Sequence, residues 1–242
     1  MYKRIIGLVL IDNGLVCRTR NFKSDYSYTE TFIDTASFDE IAFIDVTSKR
    51  THKSMNLFAK TIDKLMMNSQ LPVAIGGGIK SIEDIKLFRK LGADRYIINQ
   101  TSPTSDELID QAIKFFGKSS IISTINHWGD NTYEFGRRTQ KQASQRIREV
   151  VNKCGSEILL NSVERDGGLS GFDLENAKSI ANISGKSTLL SGGIGNWIHA
   201  SEALSIKNIS GVCTSNIFHL TTTTVLNWRK QIFSSGVNVR SL

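Results

Sequence analysis

Short runs of β-branched and aliphatic residues alternate with segments of helical period along all 242 residues. That rhythm predicts parallel strands joined by helical crossovers. Eight strands are expected: Arg4 to Ile11, Ile41 to Val46, Pro72 to Ile75, Arg95 to Ile98, Ser119 to Ile125, Glu157 to Asn161, Thr188 to Leu190 and Ser210 to Cys213. Ser81-Ile82-Glu83-Asp84 reads as a helix capping box, Gly92 as a left-handed C-terminal cap, and Gly117 and Gly155 as closing the next two helices in the same way. Two apolar stripes, Ile109-Ala112-Ile113-Phe116 and Ala143-Ile147-Val150-Cys154, recur at helical spacing and should face a sheet. The two prolines, Pro72 opening a strand and Pro103 in a loop, interrupt nothing.

The chain also repeats itself. Ile75-Gly76-Gly77-Gly78-Ile79 returns as Leu190-Ser191-Gly192-Gly193-Ile194 roughly 116 residues later, and Asp45, ending one strand, has Asn161 at about the same offset. A duplicated four-strand half closes into an eight-stranded barrel, whereas an open doubly wound sheet should show Gly-x-Gly-x-x-Gly after its first strand, which this sequence lacks. The expected fold is therefore α/β, a single-domain (β/α)8 TIM barrel of two half-barrels spanning about 1–117 and 118–242.

Composition agrees and narrows the classes. With 40% hydrophobic and 22% charged residues, disorder, collagen and coiled coil are excluded. The run Ile5 to Ile11 is too short for a membrane span and lacks a signal cleavage site, so a cytoplasmic chain with no membrane partner is expected. Cys17, Cys154 and Cys213 are odd in number and set in apolar surroundings, which fits buried reduced thiols. The absence of His-x-x-x-His and Cys-x-x-Cys spacings leads to an expectation of no metal, and the sequence implies no cofactor. The net charge of +7 is spread along the chain, with Arg137-Arg138 the one adjacent arginine pair and no accompanying motif, so nucleic acid is not the expected partner.

Glycines at strand ends point to anions. On the C-terminal face of a barrel, backbone amides in such turns can cradle a phosphate without a side chain in the way. Gly76-Gly77-Gly78 and Gly192-Gly193 stand in equivalent places in the two halves. Their expected companions are Asn99-Gln100-Thr101 and Ser215-Asn216, giving two pockets for a small molecule with a phosphate at each end.

These segments, together with Arg4-Ile5-Ile6, Asp39 through Asp45, Gly92-Ala93-Asp94, Ser156 through Ser162, Arg165-Asp166-Gly167 and Ile217-Phe218-His219, resemble the cyclase subunit family of imidazole glycerol phosphate synthase over essentially the whole chain. The resemblance implies a barrel that forms a heterodimer with a glutaminase at its N-terminal face. Ammonia would pass along the axis, and a two-phosphate ribonucleotide would be cyclised at the other face. It assigns Arg4, Glu40, Arg95 and Glu157 to a charged ring gating ammonia, Asp94 to the glutaminase contact, and Asp166 with Gly167 to phosphate binding or substrate orientation. For Arg18 two roles stay open, replacement of a substrate-contacting Lys or solvation of a loop.

The departures matter most. The family's two acid–base aspartates fall on Leu10 and Asn126, again about 116 residues apart, and neither side chain can exchange a proton near neutral pH. Asp12, His127 and Asp166 are the candidate substitutes. Strand alternation, however, carries Asp12 roughly 7 Å beyond Leu10 and points His127 away from the face that Asn126 occupies. His199 and His219 read as packing or capping groups. Leu10 in Gly7 through Ile11, followed by Asn13-Gly14-Leu15-Val16, resembles a branch that works with glutaminase-like and sugar-amidotransferase proteins. There an acetamido group on a surface-polysaccharide sugar becomes an acetamidino group. The expected function is thus an ammonia-channelling, non-cyclising subunit, with an active cyclase of histidine biosynthesis as the alternative.

Overall fold

The computed structural model describes residues 2–28, 37–67, 69–101, 103–215, 217–221 and 223–240. The eight expected strands form, seven of them within one residue of the expected bounds, as β1 (Arg4–Asp12), β4 (Glu40–Asp45), β5 (Val73–Gly76), β6 (Arg95–Asn99), β7 (Ile121–Trp128), β10 (Glu157–Ser162), β11 (Ser187–Ser191) and β12 (Ile209–Thr214); β7 starts two residues later than expected and runs three residues further. They pair in parallel in the order β1-β4-β5-β6-β7-β10-β11-β12, and β12 returns to β1, registering Arg4 with Gly211 and Gly7 with Thr214. The sheet is a closed (β/α)8 barrel, so its eight parallel strands have no free edge.

Both faces of the strands are covered, which is why β1 and β10 read as nearly unbroken apolar runs. Ile6, Leu8, Leu10, Ala42, Ala74, Ile97, Ile122, Leu159, Leu189 and Cys213 fill the barrel, while Ile5, Val9, Ile11, Phe43, Ile75 and Ile158 pack outward on the helices. Those helices are α1 (His52–Met66), α2 (Ile82–Lys90), α3 (Asp106–Phe116), α4 (Ala143–Val150), α5 (Leu174–Ser184), α6 (Trp197–Leu204), the short α7 (Ile217–Leu220) and α8 (Val225–Ser234). The two predicted helical stripes lie against the sheet. Before α2, the Ser81 hydroxyl accepts from Asp84 N at 3.2 Å and the Asp84 carboxylate accepts from Ser81 N at 3.0 Å, the capping box read from the sequence.

Gly92 and Gly117 adopt positive φ after their helices. Gly155 does not belong with them. Helix α4 has already ended at Val150, and Gly155 is required for a different reason: a Cβ there would stand 2.1 Å from the Ile121 carbonyl oxygen. The spacing showed a glycine between helix and strand without showing which constraint demanded it.

Two antiparallel hairpins escaped the sequence reading. β2 (Leu15–Arg20) folds back on the end of β1 and continues into β3 (Lys23–Tyr28), and β8 (Asn131–Glu134) folds back on β7 and continues into β9 (Arg137–Gln142). Both follow the first strand of their half of the chain. The turn at Asn13-Gly14 has φ of 49° and 81°, the backbone that an Asn-Gly pair between strands favours.

Candidate functional site

At the C-terminal mouth, strand ends and the loops after them enclose a cleft lined by Leu8, Leu10, Thr19, Asp166, Gly167, Leu169, Ser191 to Ile194, Cys213 to Ser215 and Ile217. The glycines are where close approach demands them. A Cβ on Gly192 would stand 2.2 Å from the Ser162 carbonyl oxygen, and one on Gly77, in the other half, 2.1 Å from that of Asp45. Gly77 and Gly192 thus turn the chain over the last residues of β4 and β10 in the same way. By place within its strand, the partner of Asp45 is Ser162, one residue beyond Asn161.

Of the residues proposed for phosphates, Asp166, Gly167, Gly192, Gly193 and Ser215 come together in this cleft. The Ser215 Oγ there is buried without a hydrogen-bond partner among the described residues. Gly77, Gly78, Asn99 and Gln100 do not line it. The Arg50 guanidinium clasps the Gly77 and Gly78 carbonyls and donates to Asp45 Oδ2 at 2.8 Å. Asn99 is exposed and its Oδ1 accepts from Thr101 N. Gln100 is buried, its side-chain amide reaching Asp106 and its carbonyl accepting from Arg146, which leaves it a structural residue rather than a free donor. Asn216 and the side chain of His219 lie outside the described residues.

The cleft holds little acid–base chemistry. Leu10 lines it, and Asn126 is buried in β7 with its backbone N–H donating to the Thr101 hydroxyl at 2.8 Å. Asp12 is held at the hairpin base, accepting from Asn13 Nδ2 at 2.8 Å and Ser24 Oγ at 3.2 Å. His127 points outward as strand alternation requires: it is fully buried, Nδ1 lies 2.8 Å from the Gly129 carbonyl, and Asp173 is 4.0 Å away. Burial holds its pKa below the ordinary histidine value despite those partners. His199 accepts from Gly195 N through Nδ1 in the turn opening α6, the capping one of the two roles, packing or capping, expected of it.

Asp166 is the one carboxylate among the described residues lining the cleft, and burial pushes its carboxyl up, outweighing the two bonds it accepts. Both bonds fall on Oδ2, from Thr19 Oγ1 at 2.7 Å and Phe22 N at 3.0 Å. Arg18 donates to the Gly167 carbonyl at 2.6 Å, and Asn21 Nδ2 to the carbonyls of Val163 and Glu164. The β2–β3 hairpin is therefore latched to the loop after β10, across the mouth. Arg18 and Thr19 are site residues that the sequence reading left open or missed. Asn13-Gly14, between apolar runs, was the signal for their hairpin. With the latch in place the cleft is narrow, about 40 Å³, room for a few waters or a group of like size.

The N-terminal mouth is built differently. Arg4, Glu40, Arg95 and Glu157 open β1, β4, β6 and β10, and their side chains close a ring of alternating charge. Arg4 meets Glu40 at 3.0 Å and also Glu157, while Arg95 meets Glu40 at 3.4 Å and Glu157 at 2.6 Å. Ser187 and Ser210 add hydroxyl donors to Glu157. Burial pushes both glutamates up. For Glu157 the two guanidiniums and the serine overcome it and the carboxyl ends below the ordinary range, whereas the more buried Glu40 ends above it. Asp94, beside Arg95, is exposed on the same rim and accepts from Val73 N at 2.9 Å.

A (β/α)8 barrel with a glycine-turned cleft at one mouth and a closed ring of four charges at the other defines a class of barrel rather than a reaction. The model of the histidine biosynthesis protein family matches residues 8–224. The chain belongs to that family. It is 28% identical over 251 residues to "Imidazole glycerol phosphate synthase subunit HisF" of Anoxybacillus flavithermus (strain DSM 21510 / WK1), an alignment covering 98% of this chain and 99% of that protein.

Proposed function

We propose that this chain is a non-cyclising barrel subunit of a glutamine amidotransferase system. It pairs with a glutaminase-like subunit at the face bearing Asp94 and the charged ring, and it passes ammonia along the barrel axis. The reading rests on one contrast: the ring Arg4–Glu40–Arg95–Glu157 is complete, while the positions expected to exchange protons are Leu10 and Asn126. Above the ring the barrel is lined by Ile6, Ala42, Ile97, Leu159, Leu189 and Cys213. Neutral ammonia crosses such a lining at far lower cost than ammonium, whose desolvation nothing there repays. A four-charge ring in place of cheaper apolar packing is a feature that stability alone does not favour.

In this reading the chain is one domain of two half-barrels and works in the cytoplasm. The cleft around Gly192, Gly193 and Ser215 holds a phosphate-bearing small molecule, and the ammonia serves a sugar amidotransferase converting an acetamido to an acetamidino group on a surface-polysaccharide sugar. The second reading is an active cyclase using Asp12 or Asp166, and the likeness to an imidazole glycerol phosphate synthase subunit over the full chain is what favours it. The test of the first is biochemical. Co-expressed with a glutaminase subunit of an imidazole glycerol phosphate synthase-type system, the barrel should co-purify as a heterodimer and raise glutamine hydrolysis. Glu157→Leu should keep the heterodimer but uncouple hydrolysis from ammonia delivery. Unchanged delivery in that variant, or no association, contradicts the conduit.

A further inference from the structure

A second polar cavity, larger than the cleft at the mouth, lies between the two hairpins. It has a volume of about 620 Å³ and is walled by Arg20 and Lys23 from β2–β3 and by Trp128, Tyr133, Arg137 and Arg138 from β7–β9. That is within the range of sites for small organic ligands. Among the described residues none of the four cations has a hydrogen-bond or ion-pair partner, and the acid in the lining, Asp25, sits 3.7 Å from Arg18. Four like charges facing one space repel one another unless an anion enters. The floor is aromatic: Trp128 stacks on Tyr133 with ring centroids 5.7 Å apart and 25° between planes, and Phe22 meets Tyr133 edge-on at 6.1 Å.

We propose that this groove binds a nucleoside diphosphate or triphosphate, the base against the Trp128–Tyr133 wall and the phosphates between the arginines of the two hairpins. An inorganic anion would use the cations and leave the aromatic wall idle. A neutral ring would leave the cations unpaired. A nucleotide satisfies both, since stacking on aromatic side chains tolerates any base and arginine forks pair with phosphate oxygens. The cavity is the size of one such ligand rather than a track for a polymer. The inference stands apart from the ammonia conduit, whose residues it does not use.

Titration of the full chain, followed by heat and by tryptophan fluorescence, tests it. ADP should bind saturably and weaken as salt rises, with inorganic pyrophosphate and adenosine each weaker by about tenfold or more. Arg137→Ala/Arg138→Ala on one hairpin, and separately Arg20→Ala/Lys23→Ala on the other, should each weaken ADP by about tenfold without moving the melting temperature, because all four side chains are exposed. The proposal fails if ADP does not saturate, if pyrophosphate binds as tightly as ADP, or if an oligoglutamate or a single-stranded oligonucleotide displaces ADP at lower concentration. It fails equally if both double variants bind ADP as the parent does, which would put the ligand at the mouth.

Discussion

Glu157 forms ion pairs with two guanidiniums and accepts from two serine hydroxyls, whereas Glu40 has the guanidiniums alone and less solvent. The two carboxyls therefore act oppositely on stability. Glu157, with its folded pKa depressed, contributes stability that is complete above the unfolded value near 4.5 and lost as pH falls through the folded one. Glu40, with its pKa raised, is ionised at a cost that is relieved as pH falls through its folded value. Removing one partner from a buried ion pair costs about 3–5 kcal/mol, and the partial exposure of Arg4 places Glu157→Leu toward the lower end of that range in denaturant unfolding. His127 adds a term nearer neutrality. Its lowered pKa means that the fold holds the neutral ring, so its contribution is present above about pH 6.5 and lost as pH falls toward the folded value. The melting temperature should fall between pH 7 and pH 5.5 and fall less in His127→Asn; equal slopes would assign the loss elsewhere. The three cysteines are buried, with Cys17 pushed up to about 11 first by burial and then by Asp12, so iodoacetamide should label them only on unfolding.

At the scale of elements, the latch between the β2–β3 hairpin and the loop after β10 sets the mouth. Gly167 has φ of 70°, and a Cβ there would stand 2.5 Å from the Thr19 carbonyl oxygen. Gly167→Ala should therefore cost about 1–3 kcal/mol. Asp166→Ala removes both Oδ2 contacts while leaving the barrel intact. Limited proteolysis should cut near Asn21 and Phe22 faster in that variant with little change in global stability, and an unchanged cleavage rate would mean that the latch lies elsewhere. Every barrel strand was legible because a strand buried on both faces writes itself as an apolar run. The hairpins were not, because β9, Arg137-Arg138-Thr139-Gln140-Lys141-Gln142, is mostly exposed and carries no apolar alternation to read. Asn13-Gly14 is a sufficient signal for the first hairpin.

For the whole molecule, periodicity was enough for the eight strands and the internal repeat for a closed barrel of two equivalent halves, whereas the placing of Leu10 in the mouth came from the family resemblance. The charge was not legible in the same way. Arg20 and Lys23 lie more than a hundred residues from Arg137 and Arg138 in the sequence, and only the two hairpins bring them to one groove. The net +7 that looked dispersed is locally concentrated. Ring closure was likewise invisible to composition, because it depends on four strand starts being level across the barrel.

In the proposed function this barrel moves ammonia without doing cyclase chemistry of its own. The most direct measurement is turnover of the two-phosphate ribonucleotide of imidazole glycerol phosphate synthase by the purified chain in excess ammonium. The expected rate is that of the uncatalysed mixture, because general acid–base groups each supply about 10²–10⁴-fold and both positions lack them. Saturable turnover well above that background would contradict the claim and make Asp166 the first residue to substitute.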